Sequence, residues 1–189
     1  QQTRTALQRA NAWKRAHADE LFWGGGFPTE ALGEVLAAPM RNGHSARASS
    51  TGTGIRTLTL TAVTRGQFTD DFTKVTSADP ERVADLWLRQ GDILVQRSNT
   101  PELVGTTELY TGPDEWAIFP DLLIRCRVDT TRVVPAFAAE AMRTERAHRW
   151  LRSRAKGLAG SMPKIDQGTI AALRIPVPAL AQQTATVAQ

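Results

Sequence analysis

A chain of 189 residues, 41% hydrophobic and 22% charged, can close one core but not two full ones, and it is too apolar for wholesale disorder or a collagen-like fibre. No run of about 18 apolar residues is present to cross a membrane as a helix. The 23 basic side chains outnumber the 19 acidic ones, and 19 of the bases are Arg, the residue that forks onto phosphate and guanine.

Residues 2–22 read as a helix, because Ala6, Ala10, Trp13, His17 and Leu21 recur at spacings of four and three. Gly24-Gly25-Gly26 stops it, and Glu30–Ala38 is a candidate short helix. Residues 41–54, rich in Asn, Gly, Ser and Thr, read as a polar loop. Sheet follows: Leu58–Val63 alternates with period two, Ile93–Arg97 leaves a Gly91-Asp92 turn as an apolar strand, and Leu122–Val128 is another. Thr107–Tyr110 and Glu115–Ile118 are shorter strand candidates. Pro135–Ala155 reads as one helix, with Arg143, Arg146, Arg149 and Arg152 stepping by three and so fanning over half its surface.

Charge is unevenly placed. Residues 141–164 hold seven bases and one acid, a local net charge of +6, while the remainder sums to −2. Such a patch suits a polyanion, with a solvated helix face as the plain alternative.

The two ends repeat each other. Gln1–Gln8 and Gln182–Gln189 are identical at five of eight positions with an offset of 181. Taken at face value, the chain is one period of a tandem protein in which a globular module alternates with helical spacers. The start, which lacks an initiator Met and an apolar signal core, fits a chain beginning inside something longer.

Several chemistries find no support. One Cys and the scattered His17, His44 and His148 do not make a zinc site, and neither glycine cluster precedes the Lys of a phosphate-binding loop. No Gly-x-Ser-x-Gly elbow occurs, and no acid stands two residues before any of the four lysines, as a metal-dependent nuclease requires. The lone Cys126 fits a reducing cytoplasm; the flanking Arg125 and Arg127 could lower its pKa, but a buried or inert thiol is the expected reading. The sequence reads as a binder, with no metal and no cofactor.

What remains is a set of polar loops rich in groups that bond base edges and phosphates: Arg41–Ser45, Arg97–Gly105, and Lys156–Lys164. In chain order, Leu32-Gly33-Glu34-Val35, Arg41-Asn42-Gly43-His44-Ser45, Gly91-Asp92-Ile93-Leu94-Val95-Gln96-Arg97-Ser98, Glu102-Leu103-Val104-Gly105, Phe119–Arg125, Pro163–Asp166 and Ile175-Pro176-Val177-Pro178-Ala179-Leu180-Ala181-Gln182-Gln183 resemble the target recognition domain of the DNA specificity subunit of type I restriction–modification enzymes. The Gly-Asp-Ile-Leu run and the Ile-Pro-x-Pro-x-Leu-x-x-Gln ending are the most specific pieces. Gln182 stands where that family usually has Glu.

The resemblance implies an α+β fold: a globular recognition domain at 23–178 with a mixed, twisted β-sheet core and flanking helices, a spacer helix at 1–22 and the start of the next at 179–189. It implies a non-catalytic subunit in the cytoplasm that reads one half of a bipartite site in double-stranded DNA. Its protein partners would be methyltransferase subunits and, through the complex, a nuclease/translocase subunit, with no membrane involved. The expected DNA-binding residues are Arg41, Asn42, Ser45, Arg97, Ser98, Asn99 and Lys164, with Arg56, Lys156 and Ser161 behind them. Ala10, Trp13, His17 and Leu21 are the expected spacer and partner interface. Two alternatives stay open: an assembly module without intrinsic DNA readout, and the recognition part of a fused methyltransferase–nuclease.

Overall fold

The computed structural model describes residues 18–157 and 162–188, so the expectations for Ala10, Trp13, His17 and Ser161 lie outside the described residues. Residues 18–23 are helical (α1) and end in a turn at Gly24-Gly25. Phe22 is buried against Phe137, with ring centroids 5.0 Å apart.

At the centre are two strands with four consecutive buried residues each, β5 (Ile93–Gln96) and β7 (Leu123–Cys126). They pair antiparallel, flanked by β2 (Arg41–Asn42) beyond β7 and β6 (Thr107–Leu109) beyond β5. Successive side chains of a strand point to opposite faces, so Ile93, Val95, Ile124 and Cys126 enter one core cluster while Leu94 and Leu123 enter another. Full burial of a Leu or Ile is worth about 1.5–3 kcal/mol, and a sheet covered on both faces explains the unbroken apolar runs.

The first cluster is completed by α3 (Pro135–Arg143), α4 (Glu145–Arg152), α5 (Gln167–Ala171) and the β1 (Thr29–Ala31)–β8 (Arg174–Pro176) ribbon. The second is covered by the β3 (Ile55–Leu58)–β4 (Thr73–Thr76) hairpin, α2 (Leu60–Arg65) and the buried Leu88, Tyr110, Ile118 and Phe119. α6 (Leu180–Val187) lies beside α3. The class is α+β; the named strand pairs are all antiparallel rather than mixed, and among the described residues the one parallel contact is an isolated bridge from Thr57 to Ile118.

Four local expectations are corrected. Residues 29–35 form β1 and a short 3₁₀ turn rather than a helix over Glu30–Ala38. The alternation at Leu58–Val63 is not a strand throughout: β3 stops at Leu58 and α2 begins at Leu60. Leu58 and Ala62, four apart, satisfy helical spacing as well as alternation, Val63 breaks the alternation, and Gly66, at φ +63°, closes the helix. Glu115–Ile118 contributes only the Ile118 bridge. The single helix expected over Pro135–Ala155 is two helices broken at Thr144, whose Oγ accepts from Ala147 N at 3.4 Å and from Trp23 Nε1 at 3.1 Å. Thr144 is thus the N-cap of α4 and anchors the end of α1.

Both of the most specific motifs make buried polar fasteners. Gly91 turns the chain at φ +90°, and the Asp92 carboxylate, 1% exposed, accepts from Arg89 N at 2.9 Å and from the Arg127 guanidinium. In the C-terminal motif the buried Gln183 side chain accepts from Val134 N (2.8 Å) and donates to Arg132 O (2.9 Å) and Pro178 O (2.7 Å). Gln182 Oε1 accepts from Ala179 N at 3.2 Å, a role the family's Glu could also fill.

Candidate nucleic-acid interface

β2 and β5 run toward the same end of the central sheet, the end at which β7 begins. Gly43 N donates to Leu123 O (3.1 Å) and Arg97 N to Leu122 O (2.9 Å), so the loops after β2 and β5 flank residues 119–122. A Cβ at Gly43 would lie 2.2 Å from Phe119 O and 2.3 Å from Pro120 O, which makes glycine obligatory for this close approach. The third loop joins them: Lys164 bridges both Ser98 and Lys156, and Ile165 N donates to Arg97 O at 2.8 Å. Loops more than a hundred residues apart in sequence, from Asn42 to Lys164, therefore converge on one sheet end.

Within this cluster the expected residues divide by what already occupies them. Arg41 is exposed, with Nε 3.0 Å from Asp85 Oδ2, and Ser45 Oγ donates to Asp121. Asn99 is engaged with its own chain: Nδ2 donates to Gln96 Oε1 at 2.6 Å and Oδ1 accepts from Thr100 N at 2.8 Å. Gln96 in turn donates to Leu60 O and Thr64 Oγ, tying the loop to α2. Arg56 lies in the β3–β4 hairpin, paired with Asp70, bonded to Thr73 Oγ at 3.0 Å and stacked 4.7 Å from the Trp116 ring. Its cation already has a carboxylate and an aromatic neighbour. Lys156 and Lys164 are exposed.

Arg97 and Ser98 differ from all of these. Arg97 Nε and Ser98 Oγ are buried and have no hydrogen-bond partner among the described residues. A buried polar group left unpaired costs about 1–3 kcal/mol, so these two adjacent residues just after β5 are where the described part of the cluster leaves polar atoms unsatisfied.

The basic excess is also redistributed. Arg143 ends α3 and is paired with Glu108 and Glu140. Arg41, Arg56, Arg89, Arg127 and Arg132 likewise face carboxylates. Around α4 the neighbours change: Arg146 lies 4.4 Å from the Trp23 ring, Arg154 lies 3.9 Å from that of Trp150, and Arg152 donates to Pro101 O at 3.0 Å. Arg149, 71% exposed, is 3.9 Å from Glu145. None of Arg146, Arg152 and Arg154 has a carboxylate within ion-pair distance among the described residues. A band of charge thus runs along α4 to Lys156 and Lys164, and its contact with Pro101 joins it to the loop that follows β5.

Leu21, expected at a partner interface, packs half-buried against the first core cluster. Gln167 was not among the expected residues, yet its Nε2 donates to Asn42 Oδ1 at 3.0 Å, joining α5 to the end of β2. Asp166-Gln167 carries the signal of a capped helix start, with Asp166 accepting from Thr169 N at 2.7 Å, but no local signal names a partner 125 residues away. Cys126 is fully buried, and burial, then the Asp92 charge, pushes its thiol up to about 12 against the opposing influence of Arg125. The lowered pKa that its arginine neighbours suggest is not realised. Among the described residues no group of three or more His, Cys, Asp or Glu is disposed to hold a metal, and no helix is long and apolar enough to cross a membrane.

No family model and no curated protein matches the chain. Solved structures do. The HsdS subunit from Thermoanaerobacter tengcongensis superposes with a TM-score of 0.64 at 18% identity over 97% of this chain. The S subunit of the type I restriction–modification system from M. genitalium gives 0.57 at 13% over 86%. A chain from a study of complex assembly and conformational transition of the type I R-M system gives 0.59 at 18% over 97%. The present chain spans 43%, 37% and 46% of those chains, less than half of each. At these identities the likeness is one of architecture: the chain has the fold seen in the specificity subunits of type I restriction–modification systems.

Proposed function

We propose that the chain is a DNA target recognition domain of a type I specificity subunit, reading one half of a bipartite duplex site. The observation that carries this is the convergence of Arg97, Ser98, Lys156 and Lys164 at one sheet end, continuous with a band of arginines along and just after α4, of which Arg146, Arg152 and Arg154 have no carboxylate within ion-pair distance among the described residues. The shared fold supports it. In this arrangement the loops after β2 and β5 meet base edges in the major groove, while Arg149, Arg152, Arg154, Lys156 and Lys164 follow phosphates and set register. Residues 23–178 form the recognition domain, and 1–22 and 179–189 belong to helical spacers that dock methyltransferase subunits. The domain itself supplies position and no chemistry. Methyl transfer, and cleavage by a nuclease/translocase subunit, belong to cytoplasmic partners.

Selection from a random duplex pool at two salt concentrations tests this. Enrichment of a short motif of a few base pairs is the expected result. Affinity that falls steeply with salt and enriches no motif would limit the chain to phosphate binding. Capture by a methyltransferase subunit with no DNA affinity would make it an assembly module instead.

A further inference from the structure

We infer that Gln167 and Asn42 act together as a reader of adenine. The inference rests on the DNA-reading function proposed above and adds to it a residue and a base.

The Gln167 Nε2 to Asn42 Oδ1 hydrogen bond, at 3.0 Å, links two surface carboxamides. Two such amides are as well hydrated apart as together, so the bond adds little to the fold. What it does is fix their orientation. Each amide turns one polar group toward the other, leaving Asn42 Nδ2 and Gln167 Oε1, neither of which has a hydrogen-bond partner among the described residues. Both backbones are held: Asn42 is paired with Ile124 of β7, and Gln167 opens the Asp166-capped helix α5.

The pair therefore leaves one donor, Asn42 Nδ2, and one acceptor, Gln167 Oε1, open to an outside group. In the major groove adenine offers the complement, with N7 accepting and the N6 amine donating. Guanine offers two acceptors there, cytosine its N4 amine, and a phosphate only acceptors. The amides also lie where a base edge would come. They line a cleft of about 530 Å³ together with Arg41, His44, Arg82 and the Arg41-paired Asp85, and Gln167 follows three residues after Lys164, which bridges to Ser98.

The test is duplex selection with the intact protein, its Gln167→Ala variant and its Gln167→Glu variant. Gln167→Ala is expected to flatten one A·T position, losing about tenfold or more of the preference there, with the rest of the motif and the salt dependence unchanged. Gln167→Glu replaces the donating amide by an acceptor; Asn42 then turns its amine toward the carboxylate, and two acceptors face outward. The preference at that same position should move from A toward C, whose N4 amine donates, a shift that a merely structural role could not produce. An unchanged motif in both variants, or an equal loss at every position, would overturn the inference while leaving DNA reading intact. A wild-type protein that enriches no motif would overturn DNA reading itself.

Discussion

Asp92 and Arg127 are joined by two parallel hydrogen bonds, Nε to Oδ1 at 2.7 Å and a terminal nitrogen to Oδ2 at 2.8 Å, with the carboxylate 1% exposed and the guanidinium partly open to solvent. The same carboxylate closes the turn that launches β5, so one side chain fixes both where the strand starts and how it sits against β7. The hydrogen bonds to Asp92 hold the Arg127 guanidinium above its ordinary pKa.

Asp92→Asn keeps the size of the side chain and removes its charge. Losing one member of a buried pair is strongly destabilising, and the partial exposure of Arg127 moderates it, so a loss of about 2–4 kcal/mol is expected. Chemical denaturation should show a lower midpoint with an unchanged slope. A change below about 0.5 kcal/mol would assign the pair no structural weight.

Gln183 fastens the start of α6 to the residues that lead into α3 through three backbone groups. Gln183→Ala leaves Pro178 O, which is buried, and Val134 N–H and Arg132 O, which are partly buried, without their partner, and should cost about 1–2 kcal/mol. Hydrogen exchange at the Val134 amide should accelerate before that of β5 and β7, since the opening is local to the α3–α6 junction.

Arg97 and Lys164 should fail differently on DNA. If Arg97 forks onto a guanine, Arg97→Ala should cost about 1–3 kcal/mol on the preferred duplex and relax one base position. Lys164→Ala should weaken all duplexes alike and reduce the slope of log affinity against log salt by about 1. Competition binding at several salt concentrations separates the two, and equal losses on preferred and random duplex for Arg97→Ala would remove Arg97 from base readout.

Cys126 should be inert in the folded protein. At pH 8 a thiol-alkylating reagent should leave it unmodified until denaturant is added, because burial pushes the thiol up to about 12 from an ordinary 9.0. The unfolded chain gives up this proton first, so stability falls as pH rises from about 9 toward 12. Tyr110, raised to about 12 mainly by burial, with its hydroxyl donating to Pro113 O, adds to the same decline above pH 10. Stoichiometric labelling at pH 8 without denaturant would contradict the buried placement.

The central strands are legible in the sequence, because a sheet covered on both faces demands unbroken apolar runs, and Ile93–Val95 and Leu122–Ile124 supply them. The sequence also located the polar loops and the basic segment, since glycine, amide and charge patterns are local properties of the chain. Tertiary structure decided the rest. Leu58–Val63 and Pro135–Ala155 were ambiguous in pattern, and only the packing of Ala62 and Val63 and the Trp23–Thr144 contact resolved them as a short helix and a broken one. Charge counting gave +6 over residues 141–164 but could not tell Arg143, which faces two glutamates, from Arg152, which faces a carbonyl. Nor could it bring Gln167 to Asn42. Whether a cation is neutralised, or an amide paired, depends on residues distant in sequence that only the closing of the core brings within hydrogen-bond reach.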